Sequence, residues 1–155
     1  MKDPSTLKRA KKYAMPDFLR PMTSQKVYER WLHRKAIAHA RRDKKRGNAN
    51  ATNEAYKIEI HRAVSASDGK DAYTKETLDW SLLSKYNNES SRQLRRAYKA
   101  GFALLPTVDH VNDGIGPAHF TICAWRTNDA KNDLSLPDFI DLCRKVVAAN
   151  LTIAP

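Results

Sequence analysis

The chain has 155 residues, of which 41% are hydrophobic and 29% are charged, and its formal net charge is +11. This length fits one domain with arms, and this composition excludes a fully disordered chain. No run of about 18 apolar residues is present, which excludes a membrane-spanning helix, and the polar N-terminus lacks the apolar region of a secretory signal.

The positive charge is concentrated in the N-terminal third. Residues 1–50 contain 15 Lys and Arg against 4 Asp and Glu, whereas the remaining 105 residues contain 13 of each class. A neutral body with a basic third favours a polyanionic partner, either nucleic acid or an anionic membrane surface. A basic segment that only aids solubility is the alternative interpretation.

This basic third is predicted to comprise an arm and a helix. Residues 1–22 contain three prolines and the cluster LKRAKK, which indicates a flexible basic arm. Residues 23–46 contain neither Gly nor Pro and carry apolar residues at helical spacing, which predicts one long helix that Gly47 ends. A helix that packs only peripherally could be removed without unfolding the rest of the chain.

Several basic side chains of this third are spaced to meet successive phosphates. Four of them, Arg30, Arg34, Arg41 and Lys44, recur at intervals of four, seven and three residues and form a ridge along the predicted helix. The full set predicted to contact nucleic acid is Lys8, Arg9, Lys11, Lys12, Arg30, Arg34, Arg41, Arg42, Lys44, Lys45 and Arg46.

The middle of the chain is predicted to be mainly helical. Asn53 is expected to cap a second helix that extends to about Ala66. The stretch AYTKETLDW then indicates a tight turn or hairpin. A further helix over residues 91–100, which Gly101 ends, carries a smaller basic cluster: Arg92, Arg95, Arg96 and Lys99.

The C-terminal third is predicted to fold as strand, polar loop, strand and helix. FALLPTVDHV is a short extended stretch, NDGIG is a turn, HFTICAW alternates like a strand, and the chain becomes helical after Arg126. Ser135 is expected to cap a last helix whose apolar face, including Phe139 and Cys143, packs inward. Both cysteines, Cys123 and Cys143, are expected to be buried and reduced, as in a reducing cytoplasm.

A set of polar residues is spread over these elements. Asp109 and His110 end the first predicted strand, His119 opens the second, and Asn128 begins the helix that follows. The intervals from His110 to His119 and from His119 to Asn128 are both nine residues, and Lys131 follows three residues later. These residues resemble the motif of the HNH nuclease family, here as a His-His-Asn variant, over about residues 70–134. The resemblance implies a ββα-metal finger.

The chemistry of these side chains agrees with what the resemblance implies. Hydrolysis of a phosphodiester needs an activated water, a cation near the leaving oxygen and donors for the phosphate charge. His110 is the expected general base, and His119 completes the catalytic motif. Asp109 and Asn128 offer oxygen ligands that suit Mg²⁺, with Mn²⁺ as a substitute. Since strand neighbours face opposite sides, Asp109 and His110 share a site only at a bulge or a strand end.

Two alternatives concern residues near Asn128. Asn132 and Asp133 could replace Asn128 as ligands if the helix begins later. Arg126 and Lys131 are expected to contact phosphates during catalysis, unless they form surface ion pairs with Asp129 or Asp133.

We therefore expect an α+β protein: a ββα-metal finger with additional helices, including a long basic N-terminal helix. The predicted organisation is a basic arm over residues 1–22, a DNA-binding helical region over 23–66 and a nuclease domain over 67–155. The expected function is that of a cytoplasmic, divalent-metal-dependent endonuclease that acts on DNA and not at a membrane. No structural zinc is expected, because no cysteine cluster is present.

The sequence leaves two questions open. A non-catalytic DNA-binding accessory protein of a phage or mobile element, which keeps the finger as a scaffold, is the alternative function. A homodimer would be favoured if both DNA strands are cut, whereas nicking would not need one.

Overall fold

The computed structural model describes residues 11–151, and within them the protein has an α+β fold. The helices and strands, in chain order, are α1 (Gln25–Lys45), α2 (Asn53–Ser67), α3 (Asn88–Ala100), β1 (Pro106–His110), β2 (Phe120–Ala124), α4 (Trp125–Lys131) and α5 (Leu136–Leu151). Short 3₁₀ turns lie at Asp17–Leu19 and Trp80–Leu82. No helix in this part of the chain has the length and apolar character needed to cross a bilayer.

The predicted long helix is confirmed as α1. The Ser24 side chain accepts a hydrogen bond from the Val27 amide and so caps the first turn. After Lys45 the chain turns away at Gly47, whose φ of +99° favours glycine. The inner face of α1, which includes Tyr28, Trp31 and Leu32, is buried. The helix is therefore part of the core and not a peripheral attachment.

Helix α2 packs antiparallel against α1, since Tyr28 contacts His61 and Asp43 contacts Tyr56. It contributes the next part of the core. Tyr56, Ile60 and Val64, one helical turn apart, are buried at 1% exposure or less. Its cap differs from the predicted one, because the Thr52 side chain accepts from the Ala55 amide while Asn53 is the first helical residue. A Thr in extended conformation fills the same role as the expected Asn.

Part of the predicted N-terminal arm packs on this core. Met15 is 8% exposed and Leu19 is fully buried, so residues 13–22 lie against the helices. The Gln25 side chain fixes this segment by accepting from the Met15 amide and donating to the Tyr13 carbonyl. The arm was expected to be flexible because of its prolines, but burial of its apolar side chains, Met15 and Leu19 above all, holds residues 13–22 on the core.

The strands β1 and β2 form an antiparallel hairpin, and α4 follows β2 directly. Pro106 pairs with Ala124 at one end and His110 with Phe120 at the other. Both predicted strands are thus confirmed, although β1 begins at Pro106, where a missing amide hydrogen is tolerated. Helix α4 begins at Trp125, earlier than expected, so Asn128 lies inside the helix and does not cap it.

A buried carboxylate joins this hairpin to the preceding loop. Asp71, which is fully buried, accepts hydrogen bonds from the Ala124 amide and the Thr127 hydroxyl at 2.9 and 2.7 Å. Its other oxygen accepts from the amides of Tyr73 and Thr74. The predicted turn over AYTKETLDW is present, with an isolated bridge between Lys70 and Thr77, and Leu78 and Trp80 of this stretch are buried.

The remaining helices lie at the surface. Helix α3 is exposed along its length and bends at Arg95, whose φ is +48°. The cap of α5 was predicted correctly, since the Ser135 hydroxyl accepts from the Asp138 amide. The prediction that the apolar face of α5 packs inward was wrong, because no residue of α5 is buried and Leu142 and Val146 are about half exposed. Cys123 is buried, but Cys143 is exposed, contrary to expectation.

Candidate active site

Four residues of the predicted motif converge on an open cleft of about 990 Å³ between the hairpin, α4 and the end of α1. Asp109 and His110 reach it from β1, and Asn128 and Lys131 from α4. Arg42 of α1 and Arg46, the residue that follows α1, line the basic side of the cleft.

Asp109 is held in this cleft by two donors. Its Oδ2 accepts from the Tyr73 hydroxyl at 2.7 Å and forms an ion pair with the Lys131 ammonium at 3.0 Å. Both Asp109 and Lys131 are nearly buried, at 9% and 7% exposure. Burial, followed by the hydrogen bond to Asp109, raises the pKa of Tyr73, so its hydroxyl remains a proton donor. Lys131 is therefore bound to Asp109 and makes no surface ion pair with Asp129 or Asp133.

His110 is the last residue of β1, the strand end that a shared site required. Its Nε2 lies 2.7 Å from Oδ2 of Asp43, and its Nδ1 lies 3.2 Å from a guanidinium nitrogen of Arg42. A carboxylate only accepts and a guanidinium only donates, so the proton of the neutral ring belongs on Nε2. The lone pair on Nδ1 then faces Arg42, on the side of the cleft.

Asp43, the partner of His110, is a fully buried carboxylate on α1. Its Oδ2 also accepts from the Tyr56 hydroxyl at 2.6 Å, while its Oδ1 has no hydrogen-bond partner within residues 11–151. Burial opposes ionisation, but the hydrogen bonds from Tyr56 and His110 and the charge of Arg42 outweigh it, so the pKa of Asp43 lies below its usual value.

Asp43 was not among the site residues predicted from the sequence, although one signal pointed to it. It is the sole acidic residue between positions 30 and 50, inside the basic run ARRDKKR. A carboxylate in such a run has no obvious surface role, and its helical position places it opposite the exposed basic residues. Only the fold shows that it meets His110, which is 67 residues away.

Arg42 connects His110 to a second histidine. The guanidinium nitrogen that faces His110 also lies 2.8 Å from Nδ1 of His39, and the two imidazole rings are 5.2 Å apart. Burial, reinforced by the charge of Arg42, lowers the pKa of His39 to about 3. His39 is therefore neutral at physiological pH and accepts a hydrogen bond from Arg42.

The oxygen donors of the cleft suit a hydrated Mg²⁺ ion. Oδ1 of Asp109 and the side chain of Asn128 make no hydrogen bond within residues 11–151, so one carboxylate and one amide remain available. Magnesium keeps several waters and needs few protein ligands. No group of three or more His, Cys, Asp and Glu is arranged to hold a metal in the described part of the chain. Asn132 and Asp133 also line the cleft.

Two predicted catalytic residues lie outside the cleft. His119 is exposed, and its backbone carbonyl accepts from the Val111 amide to extend the hairpin. Arg126 forms an ion pair with Glu76 at 3.2 Å and lines a separate groove along α5. The structure thus brings Asp109, His110, Asn128 and Lys131 together, but neither His119 nor Arg126 with them.

The predicted nucleic-acid contacts are mostly solvent-accessible. The ridge residues Arg30, Arg34, Arg41 and Lys44 are exposed, as are Lys11, Lys45 and Arg46. Lys12 is paired with Glu54 on α2, and Arg34 donates to the Ser84 hydroxyl. Lys8 and Arg9 lie outside the described residues.

No protein-family model, no curated protein and no solved structure matches the chain.

Proposed function

We propose that this protein is a divalent-metal-dependent endonuclease that hydrolyses DNA phosphodiester bonds, built on a ββα-metal finger formed by β1, β2 and α4. The observation that carries the proposal is the setting of His110. One ring nitrogen is hydrogen-bonded to a buried carboxylate, and the other accepts from Arg42 in a basic cleft that also contains Asp109 and Asn128. An oriented imidazole beside phosphate-binding groups is what hydrolysis by water requires.

In this proposal His110 is the general base. With Arg42 turned from Nδ1 to a phosphate oxygen, Nδ1 takes a proton from a water molecule as the water attacks phosphorus. The bond to the 3′ oxygen breaks to leave a 5′ phosphate and a 3′ hydroxyl, whose proton comes from solvent. The carboxylate of Asp43 at Nε2 stabilises the imidazolium that forms. Imidazole suits this role because it exchanges protons near neutral pH.

The cleft also provides groups that stabilise charge on the phosphate. Asp109 and Asn128 would hold Mg²⁺, or Mn²⁺ in its place, which would supply a Lewis acid beside the leaving oxygen. Arg42 and Arg46 line the same cleft and can donate to phosphate oxygens. Lys131 holds Asp109 through their ion pair, so its role in this proposal is to fix the carboxylate.

The exposed basic residues of α1 support DNA as the substrate. They would grip the duplex through its phosphates without reading its sequence. A non-catalytic DNA-binding protein would need the same exposed residues, but it would not need His110 hydrogen-bonded to a carboxylate that is buried at 0% exposure. Double-strand cutting with one site per chain would call for a homodimer, and nicking would not.

A plasmid-cleavage assay tests the proposal. Full-length protein is incubated with supercoiled plasmid in Mg²⁺, with and without EDTA, beside the His110→Ala variant. We expect nicked or linear DNA only with the wild-type protein and the metal. DNA binding without any metal-dependent cleavage would favour the accessory protein instead.

A further inference from the structure

We infer that Asp43 of the basic helix α1 is a positioning residue for His110, so that the catalytic site is completed from outside the hairpin and α4. This inference rests on the proposed function, because it assigns Asp43 a role in the same reaction. Its geometric part, that Asp43 sets the tautomer of His110, stands without any nuclease activity.

The burial of Asp43 is difficult to explain by stability alone. A carboxylate removed from water is costly unless donors surround it. One oxygen of Asp43 has no hydrogen-bond partner within residues 11–151 and has only a long ion pair with Arg42, at 3.8 Å. The two close donors, the Tyr56 hydroxyl and Nε2 of His110, both meet the other oxygen. A residue that only linked α1 to the body would be better replaced by an apolar or neutral side chain.

The loop that contains Gly114 leaves room for the hydrogen bond between Asp43 and His110. Gly114 has a φ of +78°, and a Cβ at this position would lie 3.1 Å from Oδ1 of Asp43 and 3.2 Å from Nε2 of His110. Any other residue would therefore press on both partners of the hydrogen bond at once. Asn48, which donates to the carbonyls of Gly114 and Gly116, holds the loop in this position.

The surroundings of His110 leave Asp43 as its one anionic neighbour among the described contacts. From α1 it meets Arg42 and the ring of His39, and from β2 it meets the ring of Phe120. Tyr56 of α2 donates to the same Asp43 oxygen as His110 and is linked to His110 only through it. Without the carboxylate, the Nε2–H group would lose its acceptor, and only the donation from Arg42 to Nδ1 would still favour the ring proton on Nε2.

The test compares wild-type protein with Asp43→Asn, with Asp141→Asn as the control. Asp141 is an exposed carboxylate that pairs with Lys145 on α5, and it does not line the cleft. The ring nitrogens of His110 are observed by NMR at one mildly alkaline pH, and kcat and KM are measured on a DNA duplex. An effect on folding alone would alter the amount of active protein but not the tautomer.

We expect the wild-type ring to carry its proton on Nε2 and the Asp43→Asn ring to do so less completely, because only the donation from Arg42 to Nδ1 remains. We expect kcat to fall by about 10²-fold or more while KM for DNA changes little, because removal of the orienting carboxylate of a catalytic histidine acts on the chemical step. The control should keep the wild-type tautomer and kcat.

A second variant covers the case in which Asp43→Asn does not fold. Gly114→Ala keeps both side chains but pushes them apart, so it should also disturb the tautomer and reduce kcat. An unchanged tautomer and an unchanged kcat in the variant that folds would overturn the inference. If the wild-type protein cleaves no DNA, the proposed function fails, and the tautomer alone decides the role of Asp43.

Discussion

Nε2 of His110 lies 2.7 Å from Oδ2 of Asp43, and this hydrogen bond joins the end of β1 to the basic helix α1. The exposed basic ridge and the partner of the proposed base therefore lie on the same helix. In the proposed function, binding and catalysis would be coupled through α1, because a shift of α1 would move Arg42 and Asp43 together.

Replacement of His110 by Ala should reduce the cleavage rate by about 10²–10⁴-fold, the usual cost of losing a general base. DNA affinity should change little, because the exposed basic clusters lie on α1 and α3 and do not include His110. Rates from plasmid cleavage and affinities from fluorescence anisotropy measure the two effects separately. His33→Ala is the control, since His33 is exposed on α1 and away from the cleft. Wild-type turnover in the His110 variant would exclude it as the base.

Removal of residues 1–50 should unfold the protein, because α1 contributes the buried Tyr28, Trp31 and Leu32. Burial of each large apolar side chain is worth about 1.5–3 kcal/mol, and a domain has only about 5–15 kcal/mol of net stability. Far-UV circular dichroism and thermal melting would show the loss. Removal of residues 1–10 alone is the control. A cooperative melt in the 51–155 fragment would show that the body folds without α1.

The helices and strands could be predicted from sequence because their signals are local. The apolar period of residues 23–46, the alternation in HFTICAW and the Ser135 cap each act within one element. The order of strand, loop, strand and helix then placed Asp109, His110 and Asn128 near one another.

Long-range contacts could not be predicted in this way. No pattern links Asp43 to His110, because the fold of α1 onto the hairpin decides their distance. The apolar face of α5 likewise signalled burial, but periodicity does not say what a helix packs against, and here α5 stays exposed. Arg126 and His119 had suitable chemistry and spacing, yet the first pairs with Glu76 and the second lies outside the cleft.

Asn128→Ala should raise the Mg²⁺ concentration needed for half-maximal cleavage, with Mn²⁺ supporting activity in the wild type. It is a cleaner test of metal binding than Asp109→Ala. Loss of Asp109 would leave the buried ammonium of Lys131 without its partner, which costs stability by itself. Metal affinity is measured by Mn²⁺ titration followed by electron paramagnetic resonance. If Asn128→Ala binds Mn²⁺ as tightly as wild type, Asn132→Ala and Asp133→Ala become the variants to examine.

Asp71→Asn should destabilise the fold by about 1–3 kcal/mol at neutral pH, because it disturbs a buried acceptor of four hydrogen-bond donors. Burial opposes the charge of Asp71, but these donors outweigh it, and its pKa lies below the ordinary value of 3.8. Its stabilising effect is therefore complete above 3.8 and is lost as the pH falls through the lower folded-state value. Urea unfolding of both proteins over a pH series should show the difference shrink below pH 3.8.

A matched exposed carboxylate provides the comparison for Asp71. Asp141 forms an ion pair with Lys145 on the surface of α5, so Asp141→Asn should change stability by less than about 1 kcal/mol at any pH. Equal effects of the two substitutions would show that the hydrogen bonds of Asp71 do not hold the hairpin.

The basic residues of α1 fall on two sides of the helix. At about 100° per residue, the ridge of Arg30, Arg34, Arg41 and Lys44 lies about a third of a turn from Arg42 and Arg46. The last two line the cleft, whereas the ridge faces solvent beside it. The scissile phosphate of a bound duplex would thus contact Arg42 and Arg46 in the cleft. The phosphates that flank it would contact the ridge.

Reversal of the four ridge charges to Glu should weaken DNA binding without unfolding the protein, because all four side chains are exposed. Each phosphate contact on duplex DNA contributes about 0.9 to the slope of log affinity against log salt concentration, so the slope should flatten by up to about 3.6. Affinity is measured by fluorescence anisotropy over a salt series, with thermal melting as the folding check. The matched variant reverses the exposed cluster on α3: Arg92, Arg95, Arg96 and Lys99. If the ridge variant keeps its affinity and slope while the α3 variant loses them, the duplex is held by α3, and the ridge is only a solvated face.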